Sequence, residues 1–204
     1  HLGDIACFSF NGNKLITTGG GGMIVTDNEQ WAHKAKYLTT QAKDDPIEFI
    51  HGEIGYNYRL TNIQAAMGCA QLEKLDDHIA AKRRIASTYN DAIENIPGLQ
   101  PMQEASWAFS SFWLYTIIVN KDLYGLNSRE LLHKLEKHEI QTRPLWQPAH
   151  LSPAHLGAHF TDCSVAEFLN HVALSLPCSV GLTEKQQQYV FHTLLNIASP
   201  NTTS

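Results

Sequence analysis

The stretch S9-F-N-G-N-K-L-I-T-T-G-G-G-G-M-I-V-T-D27 decides how the rest of the chain reads. One lysine, Lys14, stands between two apolar runs, I5-A-C-F-S-F10 and M23-I-V-T26, and four glycines, Gly19 to Gly22, follow it closely. The two runs predict short strands, with Lys14 on the loop between them. A run such as Ile5–Phe10 normally lies in mid-sheet, covered on both faces. No helix or strand precedes it in these residues, so the chain is expected to be the C-terminal part of a longer one.

A lysine on such a loop becomes chemically useful when its amine is neutral, because it can then form an imine with an aldehyde. Partial burial would favour that form. Asn11, Gly12 and Asn13 are small or hydrogen-bonding, so a flat ligand can approach the backbone, and the Ser9 hydroxyl at the strand end suits a phosphate. Pyridoxal phosphate, with its aldehyde carbon and phosphate, needs this combination. The plainer alternative is a solvated surface turn with a flexible glycine run. A P-loop is excluded, because Lys14 follows Asn13 and precedes Leu15 where GxxxxGK[ST] is required. A dinucleotide fingerprint is disfavoured, since the glycines precede a strand and not a helix.

Working outward, residues 28–38 predict a helix, and the stretch to His51 reads as polar and irregular. Thr61 and Gln64 form a capping box. From there an apolar stripe runs through Ile63, Met67, Ala70, Leu75, Ile79, Ile85, Tyr89 and Ile93 until Pro97-Gly98. One helix from Thr61 to about Ile93, straight or with a single bend, is expected. That is well above the mean of about 11–12 residues, as a connector between domains would be. Beyond it, strands are expected over 111–119 and 140–146. Helices are expected over 128–138 (capped by Asn127 or Ser128), over 163–174 (capped by Asp162) and from Thr183 to Leu195, before a frayed tail at 198–204. The domain reading is 1–75 for the end of a large domain, 76–100 for an interdomain helix and 101–204 for a small α+β domain.

Composition narrows the function. The 204 residues are 43% hydrophobic and 17% charged, with a formal net charge of -5 and the signs interspersed. No basic block suggests a nucleic-acid surface. No run approaches the roughly 20 apolar residues of a membrane span. The four cysteines lie far apart, which fits free thiols in a reducing cytoplasm better than a disulfide frame or zinc site. The eleven histidines form no HExxH signature and read as scattered surface and core residues, so no metal centre is expected.

The stretch 9–27, followed by G55-Y-N-Y-R-L-T-N-I-Q-A-A-M-G-C-A-Q-L-E-K-L-D76, resembles the nucleotide-sugar aminotransferases of the DegT/DnrJ/StrS type, pyridoxal-phosphate enzymes of fold type I. T142-R-P-L-W-Q-P-A-H150 and L174-S-L-P-C-S-V-G-L-T-E-K-Q-Q-Q-Y-V190 resemble the C-terminal part of the same family. The resemblance covers the chain to about Ile197. It implies an α/β fold, with the end of a large-domain mixed sheet followed by a smaller C-terminal α+β domain, in a protein nearly twice as long. The other half would carry the aspartate on the pyridine nitrogen and the residue stacking on the ring. By position, Lys14 is similar to the Schiff-base lysine and Ser9 to a phosphate-binding hydroxyl. Asn57 is similar to the residue that reaches the cofactor phosphate of a neighbouring subunit, with Tyr56, Tyr58 and Arg59 beside it. His150 falls where the family places a histidine near the sugar nucleotide, with Arg143 and Trp146 as weaker candidates. Two positions depart from the pattern: Gly20 replaces a usual glutamate, and Asn11 stands where some relatives have histidine.

The implied activity is amine transfer from L-glutamate to a nucleotide-linked 4-keto-6-deoxy sugar for surface polysaccharides, by a cytoplasmic homodimer with shared sites. The alternatives are a sugar dehydratase on the same fold, against which an intact Lys14 argues, and a non-catalytic regulator.

Overall fold

The computed structural model describes residues 3–198. The chain divides into two compact units, 1–78 and 79–204.

In the first unit, β1 (Ala6–Ser9) and β2 (Gly22–Val25) pair antiparallel, with Ser9 opposite Gly22 and Ala6 opposite Val25. Both strands form where they were expected, but they are not covered. Phe8 and Met23 are 55% and 52% exposed, and Ile24 and Val25 are open as well. Among the described residues each strand pairs with the other alone, so the outer edges of both are unpaired. Helix α1 (Glu29–Thr39) follows, and the Asn28 side chain accepts the Trp31 N–H at its start.

The stretch to His51 is not irregular. It holds a small hairpin of β3 (Lys43–Asp45) and β4 (Ile50–His51). Asp45 Oδ1 makes its turn by accepting the N–H groups of Ile47 and Glu48, which hold the Asp45 carboxyl below its usual range. Gly55 lies directly on the Gln41–Ala42 backbone, and a side chain there would collide with it.

The long helix is interrupted. Helix α2 (Asn62–Leu72) starts with the expected reciprocal capping box between Thr61 and Gln64. Glu73 and Lys74 form a turn, and α3 (Leu75–Ile93) then continues into the second unit. The two-residue break falls between neither Pro nor Gly, so the continuous apolar stripe hides it.

The second unit is built on a four-stranded antiparallel sheet in the order β5-β6-β8-β7. Its strands are β5 (Leu99–Gln100), β6 (Tyr115–Val119), β7 (Arg143–Pro144) and β8 (Ala173–Leu176). Strands β6 and β7 are shorter than the runs suggested. The larger correction is at Leu174, read as the end of a helix. Helix α6 (Ser164–Val172) stops two residues earlier and the chain enters a fully buried inner strand. There Leu174 faces Ile117 on one side and Pro144 on the other.

The short helix α4 (Lys121–Tyr124) was not foreseen. Helix α5 (Ser128–Lys137) takes Asn127 as its cap, and α7 (Glu184–Ala198) opens at Thr183, whose hydroxyl accepts the Gln186 N–H. The expected tail from 199 onward lies outside the described residues. Tyr89, Ile85 and Ile93 of α3 pack with Tyr115, Ile117, Leu131, Leu135, Leu174 and Leu194 into one core. Tyr89 and Tyr115 stack at 4.9 Å. Each buried hydroxyl has a partner: Tyr89 donates to the Pro177 carbonyl and Tyr115 to Asn90 Oδ1. Burial pushes both phenols well above their ordinary range.

Candidate active site

Strand β1 ends at Ser9, and the loop carrying Lys14 is closed at its base by three backbone bonds. Phe10 N–H donates to the Gly21 carbonyl (3.0 Å), Thr18 N–H to the Phe10 carbonyl (3.1 Å), and Lys14 N–H to the Asn11 carbonyl (3.0 Å). The Thr17 hydroxyl also reaches the Phe10 carbonyl (3.0 Å), and the Gln71 side chain of α2 accepts the Thr17 N–H. Gly21 sits at φ +86°, and a Cβ there would meet Leu60, so this turn requires glycine.

Lys14 is half-buried on this braced loop and Ser9 is exposed. The Ser9 oxygen accepts the Asn11 N–H at 3.3 Å, which leaves its own O–H able to donate. A primary amine on a braced loop and a hydroxyl donor at the end of the strand that feeds it are the groups that an aldehyde carrying a phosphate ester requires. This donor set fits pyridoxal phosphate.

The loop Tyr56–Arg59 is held to the end of α1 by main-chain bonds: Tyr56 N–H to Leu38, Tyr58 N–H to Thr39, and a bridge between Thr40 and Asn57. Tyr56 and Tyr58 stack at 5.1 Å, and both they and Asn57 are exposed. Tyr58 and Arg59 line a groove of about 740 Å³ with Phe8, Met23, Ala35 and Leu60. Ser9 and Lys14 lie outside that lining. Within this unit the structure brings Tyr58 and Arg59 together, but does not join them to Lys14 in one cavity.

In the second unit, His150 lies on a turn at Ala149–Leu151. Its ring Nε2 is 2.8 Å from Glu167 Oε1, its side chain is 7% exposed, and it stacks on Phe160 at 4.7 Å. Three residues further along α6, Asn170 donates to the carbonyls of Leu145 (2.7 Å) and Trp146 (3.1 Å). Glu167 and Asn170 share a face of α6 and together fix the 145–150 segment. The sequence reading passed over both, because no local pattern links them to a loop some 20 residues earlier.

Trp146 stacks on Trp113 at 5.9 Å and keeps an exposed face. Arg143 is placed differently: it lines a groove of about 280 Å³ with Glu136 and Glu139, and His150 is not in that lining. The Arg143 guanidinium donates to the Thr142 carbonyl (3.2 Å). Among the described residues no three His, Cys, Asp or Glu side chains converge on a metal-sized site. No helix there is long and apolar enough to cross a membrane. All four cysteines are free thiols.

Residues 1–195 match the DegT/DnrJ/EryC1/StrS aminotransferase family, and the chain belongs to it. It is 37% identical over 184 residues to GDP-perosamine synthase of Caulobacter vibrioides, covering 90% of this chain and 49% of that protein. It is 36% identical over 197 residues to GDP-perosamine synthase of Vibrio cholerae, covering 96% and 53%. Among solved structures, Helicobacter pylori PseC, an aminotransferase involved in the biosynthesis of pseudoaminic acid, superposes with a TM-score of 0.84 at 27% identity. That match covers 95% of this chain and 53% of PseC. The fold is therefore that of these α/β aminotransferases, and the chain spans about half the length of the curated relatives it matches.

Proposed function

We propose that this chain belongs to a pyridoxal-phosphate-dependent aminotransferase that moves an amino group from L-glutamate to a nucleotide-linked 4-keto-6-deoxy sugar, in the making of amino sugars for surface polysaccharides. The single observation that carries this reading is the half-buried Lys14 on a loop braced at its base, with Ser9 at the strand end. The names of the perosamine synthases support the substrate class. In this reading residues 1–75 close a large cofactor-binding domain, 76–100 connect and 101–204 form the small domain. The protein works in the cytoplasm as a homodimer.

The cofactor, when bound, supplies an aldehyde carbon and an electron-accepting ring. Lys14 would hold that carbon, and its Nζ, when free, would accept and return a proton at the substrate. Ser9 would donate its O–H to the phosphate. Asn57, with Arg59 supplying positive charge, would serve the phosphate of the neighbouring subunit. In the second unit His150 would face the sugar nucleotide, with Glu167 orienting its ring by accepting from Nε2; Tyr58 is a substrate-binding candidate of the first unit. Arg143 contributes least, since it lines a groove that does not include His150.

The test is transfer of nitrogen. The purified protein is supplied with pyridoxal phosphate, 15N-labelled L-glutamate and GDP- or UDP-linked 4-keto-6-deoxy sugars, and the sugar product is weighed by mass spectrometry. A 15N-amino sugar nucleotide that disappears in Lys14→Ala is the expected result. A deoxygenated sugar without nitrogen would establish a dehydratase instead. Cofactor binding with no turnover of any keto sugar would favour a regulator.

A further inference from the structure

Lys82 of α3 is buried in the second unit, only 6% exposed, and the proposed chemistry does not use it. Its ammonium donates to the carbonyls of Trp113 (2.8 Å) and Cys178, and its third donor direction meets Cys178 Sγ at 3.5 Å. Cys178, two residues beyond the end of β8, is 8% exposed, and its thiol is directed at the same Trp113 carbonyl, 3.7 Å away. The lysine nitrogen is thus held against a thiol, and both are anchored through one carbonyl. Cys178 also lines a surface groove of about 420 Å³ with Glu139, Gln141 and Ser179.

We propose that Lys82 and Cys178 form a reversible, oxidant-driven nitrogen–sulfur cross-link with hydrogen peroxide as the oxidant. The Cys178 sulfur attacks one peroxide oxygen. An S–O bond forms, the O–O bond breaks, and the departing hydroxide takes the thiol proton as water, leaving a sulfenic acid. Lys82 gives its extra proton to solvent, and its lone pair then displaces the hydroxyl from sulfur. The N–S bond forms, the S–O bond breaks, and the hydroxide leaves as water with a proton from nitrogen. One peroxide is reduced to two waters and the cysteine sulfur is oxidised by two electrons. The neutral pair loses one hydrogen from each side chain, and two equivalents of a small thiol reverse the bond by becoming a disulfide. The link ties α3 to the chain leaving β8, so it clips together two elements that otherwise meet through packing and hydrogen bonds.

Peptide mapping after peroxide treatment tests this without reference to turnover. Expected is a Lys82 peptide joined to the Cys178 peptide, two hydrogens lighter than their sum, which dithiothreitol separates. In Lys82→Arg, which keeps the cation, a sulfenic-acid trap such as dimedone labels Cys178 and no joined peptide forms. Cys178→Ala removes the sulfur while keeping the carbonyl partner of Lys82, so the joined peptide vanishes there too, even if the arginine variant fails to fold. Separate peptides in the wild-type protein, with Cys178 unmodified, trapped by dimedone or oxidised to sulfinic acid, would overturn the proposal. So would a Lys82 linkage that survives in Cys178→Ala.

Discussion

Leu174→Ala is the substitution that weighs the second unit most sharply, because the sequence read this residue as a helix end and the structure makes it the inner face of a sheet. Leu174 is 0% exposed, flanked by Ile117 across β6 and Pro144 across β7. Truncation removes three carbons, at about 0.8 kcal/mol for each buried methylene. The surroundings are fixed by backbone pairing on both sides, so the cavity cannot fully collapse, and a total of about 3 kcal/mol is expected within the usual range of roughly 2–5. With a urea slope of about 2 kcal/mol per molar, the midpoint should fall by about 1.5 M. Tryptophan fluorescence is a suitable probe, since Trp107, Trp113 and Trp146 lie in this unit and only Trp31 lies in the other. Val165→Ala, on the exposed side of α6, is the control and should stay within about 0.5 kcal/mol. A Leu174→Ala midpoint shifted by no more than about 0.3 M, like the control, would refute the placement of β8 inside the sheet.

Two further outcomes follow from charge and from subunit sharing. Arg83 donates to both oxygens of Glu104 (2.8 and 2.9 Å) and, with the Ser110 N–H, pushes the Glu104 carboxyl down to about 2. Because the folded value lies below the ordinary 4.5, the stabilisation this pair adds is complete above pH about 4.5 and is lost as pH falls toward 2. A side-chain NMR titration should show the low midpoint in the wild type and its return toward the ordinary range in Arg83→Gln; an unchanged midpoint would remove Arg83 as the cause. If Asn57 serves the neighbouring cofactor, Asn57→Ala and Lys14→Ala subunits are each defective, yet mixing them restores one intact site per heterodimer. No regained activity after confirmed subunit exchange would assign Asn57 to its own subunit or to no site.

What the sequence disclosed and what it hid divide along the range of the interactions. Helix starts were legible where a side chain closes its own first turn: Asn28, Thr61 with Gln64, and Asn127 are all read within four residues. Strand β8 was not, because A173-L-S-L176 continues the apolar pattern of α6 without a breaker, and pairing with β6 and β7, 30 to 60 residues away in sequence, pulls it out of the helix. The β3–β4 hairpin did carry a local signal, Asp45-Pro46, but a charged, polar stretch masked it. Within the site, the strand–loop–strand around Lys14 followed from two apolar runs and small residues between them. The bracing of His150 by Glu167 did not, since a contact spanning 17 residues between a turn and a helix leaves no periodic trace.

The central claim is that Lys14 carries the cofactor, and reduction with borohydride tests it most directly. The protein is incubated with pyridoxal phosphate, reduced, digested and mapped by mass spectrometry. The account expects a pyridoxyl group on the peptide bearing Lys14, and its loss in Lys14→Ala. A pyridoxyl group on a different lysine, with Lys14 unmodified, would contradict it.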